Sequence, residues 1–277
     1  MMSLGPFSLR VSLAAAAVLL AWIVAGALAR RRKLEEPSAA SGLLLDAVIA
    51  GFVAARLGYI LQWWPEYRAA PLSMLALGDG GFAWWAGLPV ALLVLWWRSR
   101  KARAGLRLPA LGGLAAGLLA WALVLHLGTA LRQSVPPLPE LELETLAGEP
   151  QRLDAHLGRP IVVNLWATWC PPCRREMPVL AHAQQQWPEV AFLLVNQGDE
   201  RHLVDDFLAR SGLELRDVLL DPASRTMQAS GARVLPTTLF FDAQGRLLDT
   251  HVGELSRAAL ADRLQRRYGL APRQPRE

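Results

Sequence analysis

Hydrophobic runs of about the length of a membrane span dominate the first half of the chain. Four such runs occur, at about residues 9–29, 42–63, 82–97 and 109–131. A helix needs about 20 apolar residues to cross the hydrocarbon core of a bilayer. The third run is the shortest and reaches that length only if the segment from Phe82 to Leu88 crosses as well. The pattern predicts a bundle of about four transmembrane helices.

Shorter apolar runs with strand and helix periodicity follow in the second half. PIVVNLWA at residues 160–167 and VAFLLVNQ at residues 190–197 are nearly continuous apolar runs, which is typical of buried parallel strands. Helices are predicted after them, over about Cys173 to Trp187 and residues 200–211. TTLFFD and RLLDTHV, joined by the turn AQG, predict a hairpin, and an amphipathic helix closes the block. This alternation predicts an α/β domain.

A proline-rich stretch separates the two halves. QSVPPLPE, residues 133–140, ends the fourth apolar run, because prolines fix φ and remove N–H donors. We therefore expect a transmembrane helical domain at residues 1–132, a linker at 133–140 and an α/β domain at 141–270, with a frayed tail at 271–277. The expected fold class is a membrane α-helical bundle followed by an α/β domain.

Basic residues are concentrated in two loops of the apolar half. Residues 1–135 hold 13 Lys and Arg against 5 Asp and Glu, a net charge of +8, whereas residues 136–277 hold 16 against 19, a net charge of −3. RRRK at 30–33 and RSRKARAGLR at 98–107 contribute 9 of those 13 basic residues. The positive charge therefore indicates membrane topology, and nucleic acid is not expected as a partner.

Both basic loops fall on the same side of a four-helix bundle, and basic loops stay in the cytoplasm. We expect a multi-pass protein of the bacterial inner membrane, with both termini and the α/β domain in the periplasm and the lipid bilayer as a partner. A cleaved signal peptide is the alternative for residues 1–29, but it would need positive charge before the apolar run. Arg10, at the very start of that run, is the only basic residue before Arg30, so we predict a retained helix.

Both cysteines of the chain lie in the stretch WATWCPPCRREMP. Cys170 follows a predicted buried strand and lies at a helix N-terminus, where unpaired N–H groups and the helix dipole favour a thiolate. We predict that Cys170 is the nucleophile and that Cys173, one turn later, resolves the mixed disulfide. Pro171 and Pro172 suit a first helical turn, and Trp169 is expected to cover the sulfurs.

Metal binding and a structural disulfide are alternative interpretations of this CxxC. A zinc site needs four ligands, and the sequence has neither a second CxxC nor a paired histidine motif. Two thiolates could bind Cu(I), whereas a structural disulfide across so short a loop removes little unfolded-state entropy. We expect redox chemistry, with no metal and no cofactor.

The motifs VVNLWATWCPPCRREMPVL, LLDP and VLPTTLFFDAQGRLLDTHVGEL resemble, in this order, the TlpA/ResA branch of the thioredoxin superfamily. The resemblance covers about residues 140–270. It implies a thioredoxin fold in a membrane-tethered, outward-facing thiol-disulfide oxidoreductase. It also implies that Cys170 and Cys173 form the redox disulfide, that Pro236 is a cis-proline facing the sulfurs, and that the Leu235 backbone pairs with substrate as an added strand.

Glu176 matches the acidic position of CxxCxxE in this branch. The resemblance implies that Glu176 tunes the thiol pKa or relays a proton. The alternative is that Glu176 is an ordinary glutamate on the helix surface, beside Arg174 and Arg175.

The apolar half carries a second resemblance. ARLGYILQWWPEYRAAPLSMLALGDGGFAWWAGL, residues 55–88, is similar to a segment of prolipoprotein diacylglyceryl transferase. The family has a histidine where this chain has Trp85, and its later G-R-x-G-N segment is missing here. The resemblance therefore implies a shared but degenerate scaffold that has lost acyl-glyceryl transfer.

The membrane half contains no cysteine, so it cannot pass electrons to Cys170 and Cys173 by thiol exchange. We therefore expect a separate membrane electron donor. Pro-Pro between the sulfurs lacks the histidine of strongly oxidising superfamily members, and the resemblance points to a reductase of disulfide-containing client proteins. The alternatives are a thiol oxidase or disulfide isomerase, a copper or haem-maturation binding module, and a lipid-modifying transferase in the membrane half.

Overall fold

The computed structural model describes residues 3–4, 7–33, 37–101, 104–130 and 137–271. The chain divides into two compact units. The first contains Met1–Trp64 and Gly81–Gln133, and the second contains Pro65–Gly80 and Ser134–Glu277. Parts of the predicted linker 133–140 and tail 271–277 lie outside the described residues. The predicted domain boundaries remain a prediction.

The elements of the first unit are mostly long helices. In chain order they are β1 (Ser3–Leu4), β2 (Phe7–Ser8), α1 (Leu9–Arg31), α2 (Pro37–Gln62), α4 (Trp84–Lys101), a 3-10 turn (Ala104–Leu106) and α5 (Arg107–Ala130). The short helix α3 (Trp64–Ala69) follows α2 in the chain, and all of it except Trp64 belongs to the second unit. The four long helices form at the four predicted apolar runs. Among the described residues, Ser38–Gln62 and Arg107–Val124 are long and apolar enough to cross a membrane. Four crossings therefore remain a prediction.

Small residues let the helices of this unit approach closely. A Cβ atom on Gly87 of α4 would lie 2.6 Å from the Gly51 carbonyl oxygen of α2. A Cβ atom on Gly113 of α5 would lie 2.5 Å from the Ala21 carbonyl oxygen of α1. Small residues at helix interfaces are typical of membrane bundles, where close van der Waals packing drives association.

The second unit is a mixed sheet with helices. Its C-terminal part contains β3 (Glu142–Thr145), β4 (Pro150–Arg152), a 3-10 turn (Leu153–His156), β5 (Ile161–Trp166), α6 (Pro171–Gln186), β6 (Ala191–Gln197), α7 (Arg201–Ser211), β7 (Val218–Asp221), α8 (Arg225–Ser230), β8 (Thr237–Phe241), β9 (Leu247–Val252) and α9 (Arg257–Tyr268). The segment Pro65–Gly80 adds most of α3 and two 3-10 turns (Pro71–Leu75 and Leu77–Asp79). The predicted α/β alternation is confirmed.

The sheet has seven strands in the order β4-β3-β7-β6-β5-β8-β9. β5, β6 and β7 run parallel to one another, whereas β8 pairs antiparallel with β5 and forms a hairpin with β9. Every residue of β5 and β6 is buried, which explains their continuous apolar sequences. The site described below lies where β5 ends, beside the start of β8.

The helix after β5 begins earlier than predicted. The expected start was about Cys173, but α6 begins at Pro171. Pro171 and Pro172 occupy its first turn, where a missing N–H costs no hydrogen bond. Cys170 is consequently the N-cap residue, with extended backbone angles (φ −90°, ψ 105°).

Candidate active site

A disulfide joins Cys170 to Cys173, with an S–S distance of 2.04 Å. Cys170 retains 4% of its surface and Cys173 none, so Cys170 is the more accessible of the two sulfur residues. The Cys173 backbone N–H donates to the Cys170 sulfur at 3.3 Å. One donor of the first turn of α6 therefore points at the Cys170 sulfur, which favours negative charge there once the disulfide is reduced.

The turn between β5 and Cys170 is held by a buried carboxylate. Asp199 accepts a hydrogen bond from the Thr168 backbone N–H at 2.7 Å and another from the Asn196 side-chain amide at 2.8 Å. Asp199 is itself 5% exposed. Trp169, in the same turn, is 68% exposed, and its expected role in covering the sulfurs remains a prediction. Sequence reasoning missed Asp199, because its polar neighbours alone carry no site signal.

Glu176 lies on the buried face of α6, one helical turn beyond Cys173. Its side chain is fully buried, so the interpretation as a surface glutamate beside the two arginines is wrong. The period of the helix directs Cys173, Glu176 and Met177 inward together. Arg174 and Arg175 point outward instead, and Arg175 pairs with Glu254 at 2.7 Å.

The Glu176 carboxylate accepts two hydrogen bonds. The Asn164 side-chain amide donates to Oε1 at 2.8 Å, and the Leu255 backbone N–H donates to Oε2 at 2.8 Å. Burial raises the pKa of Glu176 to about 8, although both hydrogen bonds oppose that rise. The Glu254 carboxylate adds a smaller effect in the same direction as burial. Glu176 is therefore a buried acid that titrates within the range of ordinary thiol chemistry.

The peptide bond between Leu235 and Pro236 is cis, as the resemblance implied. Pro236 directly precedes β8, whose first residue, Thr237, pairs with Leu165 of β5. Because β5 and β8 are antiparallel, the start of β8 lies beside the end of β5. Leu235 is half-buried and packs against the sheet core. The topology thus brings Pro236 to the same edge of the sheet as the strand that leads to Cys170.

Both halves of the chain are similar to known protein families. Residues 133–264 match the Redoxin family model. ResA of Geobacillus thermodenitrificans, a thiol-disulfide oxidoreductase, is 31% identical over 129 residues, which cover 46% of this chain and 74% of that protein. The DsbE homologue of Paracoccus denitrificans, a thiol:disulfide interchange protein, is 34% identical over 152 residues, which cover 53% of this chain and 83% of that protein.

The chain belongs to the ResA/DsbE family of thiol-disulfide oxidoreductases. The solved structure of a thiol:disulfide interchange protein from Chlorobium tepidum is similar to this chain, with a TM-score of 0.41 and 26% sequence identity. The matched part covers 46% of this chain and 92% of that protein. The ResA/DsbE half has the thioredoxin-like α/β fold that the sequence motifs implied, and the expected enzyme class is confirmed.

The N-terminal half of this ResA/DsbE chain is similar to a different protein family. Residues 1–128 match the family model of prolipoprotein diacylglyceryl transferase, which confirms the second resemblance. Trp85, which the resemblance places where that family has histidine, is 54% exposed in the structure. The family match and the two apolar helices indicate that this half associates with a membrane.

Proposed function

We propose that this protein is a membrane-tethered, periplasm-facing oxidoreductase that reduces disulfides in client proteins with the dithiol Cys170 and Cys173. The observation that carries the proposal is the position of Cys170, which is the N-cap of α6 and is bonded to the less accessible Cys173. Pro236 and Leu235 would border the client at the start of β8, and Trp169 would cover the sulfurs.

The reaction begins from the reduced pair. The Cys170 thiolate attacks one sulfur of the client disulfide, and the other client sulfur leaves as a thiolate that takes up a proton. Cys173 then loses its proton and attacks the Cys170 sulfur, which breaks the mixed disulfide and releases the second client thiol. Two electrons pass from the dithiol to the client, and the Cys170–Cys173 disulfide forms.

Glu176 is the group best suited to handle the proton of Cys173. It lies one turn beyond Cys173 on the same buried face of α6, and its pKa of about 8 lets it gain or lose a proton near neutral pH. We propose that Glu176 accepts the Cys173 proton as Cys173 attacks the mixed disulfide. Pro171 and Pro172 keep the two sulfurs in one turn by fixing φ at both positions.

The direction of electron flow and the topology are further parts of the proposal. Pro-Pro between the cysteines places no histidine beside Cys170 to stabilise the reduced form, which a strong oxidant requires. Four membrane crossings with basic loops in the cytoplasm would put both termini and the redox half in the periplasm. Because the sequence has only these two cysteines, a separate membrane electron donor would re-reduce them.

The test measures insulin reduction by the full chain in detergent. We expect turnover with a chemical reductant for the wild type and none for Cys170→Ser. Asp205→Asn, an exposed carboxylate on α7, is the matched control and should retain wild-type turnover. Equal rates for the wild type and Cys170→Ser would refute the proposal. A reduction potential as high as that of strong oxidants would instead identify a thiol oxidase.

The clients can be identified through the resolving cysteine. Cys173→Ser leaves Cys170 able to attack a client but removes the thiol that releases it. We expect mixed disulfides between this variant and periplasmic proteins, which mass spectrometry would identify. Their absence, with Cys170 reduced and reactive, would count against protein disulfides as the substrate.

The family match of residues 1–128 supports one second candidate, diacylglyceryl transfer to a lipoprotein signal peptide. Trp85 cannot act as a general base, whereas histidine can, so we expect no transfer by the purified protein. Transfer above a no-enzyme control would establish this second activity.

A further inference from the structure

The junction between β9 and α9 contacts the redox site on one side. The Leu255 backbone N–H donates to Glu176 Oε2 at 2.8 Å. The neighbouring Glu254 carboxylate pairs with Arg175 of α6 at 2.7 Å. Two consecutive residues of the junction therefore hold two consecutive residues of the cysteine-bearing helix, and one of those contacts opposes the rise of the Glu176 pKa.

The next residue of the junction is held by a carboxylate from far away in the sequence. Ser256 Oγ donates to Asp79 Oδ2 at 3.0 Å, and Tyr67 Oη donates to the same oxygen at 2.9 Å. Asp79 is 1% exposed and Tyr67 is fully buried. Both come from the segment Pro65–Gly80, which belongs to the same compact unit as the redox half.

Ser256 connects this carboxylate to α9. Its Oγ also accepts from the Ala259 backbone N–H at 3.2 Å, as the N-cap of α9. A hydroxyl has one proton to donate and lone pairs to accept with, so the two contacts fix the direction of the Ser256 side chain. Only the φ and ψ angles of Leu255 separate its N–H from the planar Leu255–Ser256 peptide, and the Leu255 side chain is held in the core at 1% exposure. A displacement of Ser256 is therefore transmitted to the Leu255 N–H.

Other charged groups border the junction. The His251 ring contacts the Glu254 carbonyl oxygen at 3.2 Å and Arg263 Nη2 at 2.9 Å. Burial and the Arg263 charge lower the pKa of His251 to about 4, so this ring is neutral at neutral pH. Arg263 Nε also lies 3.9 Å from Asp249 Oδ2. Among the described residues, the charged or titratable groups near Asp79 and Glu176 include His251, Arg263, Asp249, Glu254 and Arg175.

We propose that Asp79 is a positioning residue for the redox site: through Ser256 it holds the Leu255 N–H on Glu176, and so sets the protonation of Glu176. The inference rests on the proposed function. ResA and the DsbE homologue align with roughly half of this chain, and Asp79 lies within the other matched region, residues 1–128. A segment from the transferase-like half therefore adjusts the thiol chemistry of the oxidoreductase half.

The test is the pH profile of Cys170 alkylation by iodoacetamide, an uncharged reagent, in the reduced full chain in detergent. We expect the wild-type profile to contain an inflection that disappears in Glu176→Gln. Asp79→Asn and Ser256→Ala should move that inflection to higher pH by about half a unit, since weakening a hydrogen bond to a carboxylate disfavours its charged form. Asp205→Asn should superimpose on the wild type.

A double-variant cycle separates positioning from general loosening of the fold. In the Glu176→Gln background, Asp79→Asn should leave the alkylation profile unchanged. The same shift in that background, an unmoved inflection in Asp79→Asn, or a wild-type profile without a Glu176-dependent inflection would each overturn the inference.

Two further measurements keep the outcome interpretable. If Asp79→Asn does not fold, Tyr67→Phe removes one donor to Asp79 without changing shape and should shift the inflection in the same direction. Insulin reduction by the wild type and Cys170→Ser is measured in parallel. Equal turnover in those two proteins overturns the proposed function, whereas an active wild type with an unmoved inflection in Asp79→Asn and Tyr67→Phe overturns the positioning role alone.

Discussion

Replacing Glu176 by Gln should change how the stability of the oxidised protein depends on pH. Glu176 is buried, and its pKa rises from an ordinary value of 4.5 to about 8. The native state therefore binds a proton that the unfolded state has lost between these two pH values. Stability from this group is complete below pH 4.5 and is lost as pH rises to about 8. Gln is neutral at every pH and cannot show this loss.

The magnitude follows from the interval between the two pKa values. At about 1.4 kcal/mol per unit, the wild type should lose about 4 kcal/mol of unfolding free energy between pH 5 and pH 9 through Glu176 alone. Gln also places one N–H group against a donor, either Asn164 or the Leu255 amide. That mismatch costs roughly 1–3 kcal/mol at all pH values. Glu176→Gln should therefore be less stable at pH 5 and at least as stable at pH 9.

The assay is urea unfolding of the oxidised full chain in detergent at several pH values, followed by pulse proteolysis and detection of a C-terminal tag. The difference between the wild type and Glu176→Gln is the measured quantity, because the titration of other groups, His251 included, is common to both proteins. A difference that stays constant from pH 5 to pH 9 would refute the reasoning, since it would mean that Glu176 titrates alike in the folded and unfolded states.

Three further predictions concern the packing around the site and the helical half. Asp199→Ala should cost about 1–3 kcal/mol of unfolding free energy, because two amide donors lose a buried acceptor. It should also slow insulin reduction, whereas the exposed control Asp206→Ala should not. An unchanged rate in Asp199→Ala would contradict this prediction. Arg175→Ala removes an exposed ion pair and should cost less than about 1 kcal/mol in the same unfolding assay, so a larger loss would be unexpected. Gly87→Ala should lower the thermal unfolding temperature in detergent, because the added methyl group overpacks the contact between α2 and α4. Gly42→Ala is the control and should leave that temperature unchanged, since a Cβ atom at Gly42 meets nothing within 4 Å. Equal effects of the two substitutions would argue against the close contact at Gly87.

Local patterns predicted the buried strands and the position of the two cysteines at the start of a helix. The apolar runs that form β5 and β6 are buried throughout. A continuous apolar run is the sequence pattern of a strand that is covered on both faces, so these strands could be predicted from sequence. Cys170 was expected at a helix N-terminus because a strand, two prolines and a helix follow one another closely in the sequence. The apolar pattern predicted the helix from about Cys173, and α6 begins two residues earlier, at Pro171, because the two prolines occupy the first turn, as their missing N–H groups allow.

Long-range polar contacts could not be predicted in the same way. Asp199 bonds to Thr168 across 31 residues, and Ser256 bonds to Asp79 across 177 residues. Neither contact leaves a periodic trace, because a hydrogen bond depends on where two backbones meet in the folded state. The position of Glu176 was ambiguous for a related reason: its neighbours in the sequence are two arginines, whereas its hydrogen-bond donors are the Asn164 side chain and the Leu255 amide, 12 and 79 residues away.

The strand order of the sheet has a consequence during synthesis. β5 lies between β6 and β8, and its pairing partner Phe241 is 80 residues beyond Ile161. The strand that leads to Cys170 therefore has one open edge until the ribosome has synthesised β8, near the end of the chain. We expect Cys170 and Cys173 to be exposed to oxidants during synthesis, before β8 covers the second edge of β5.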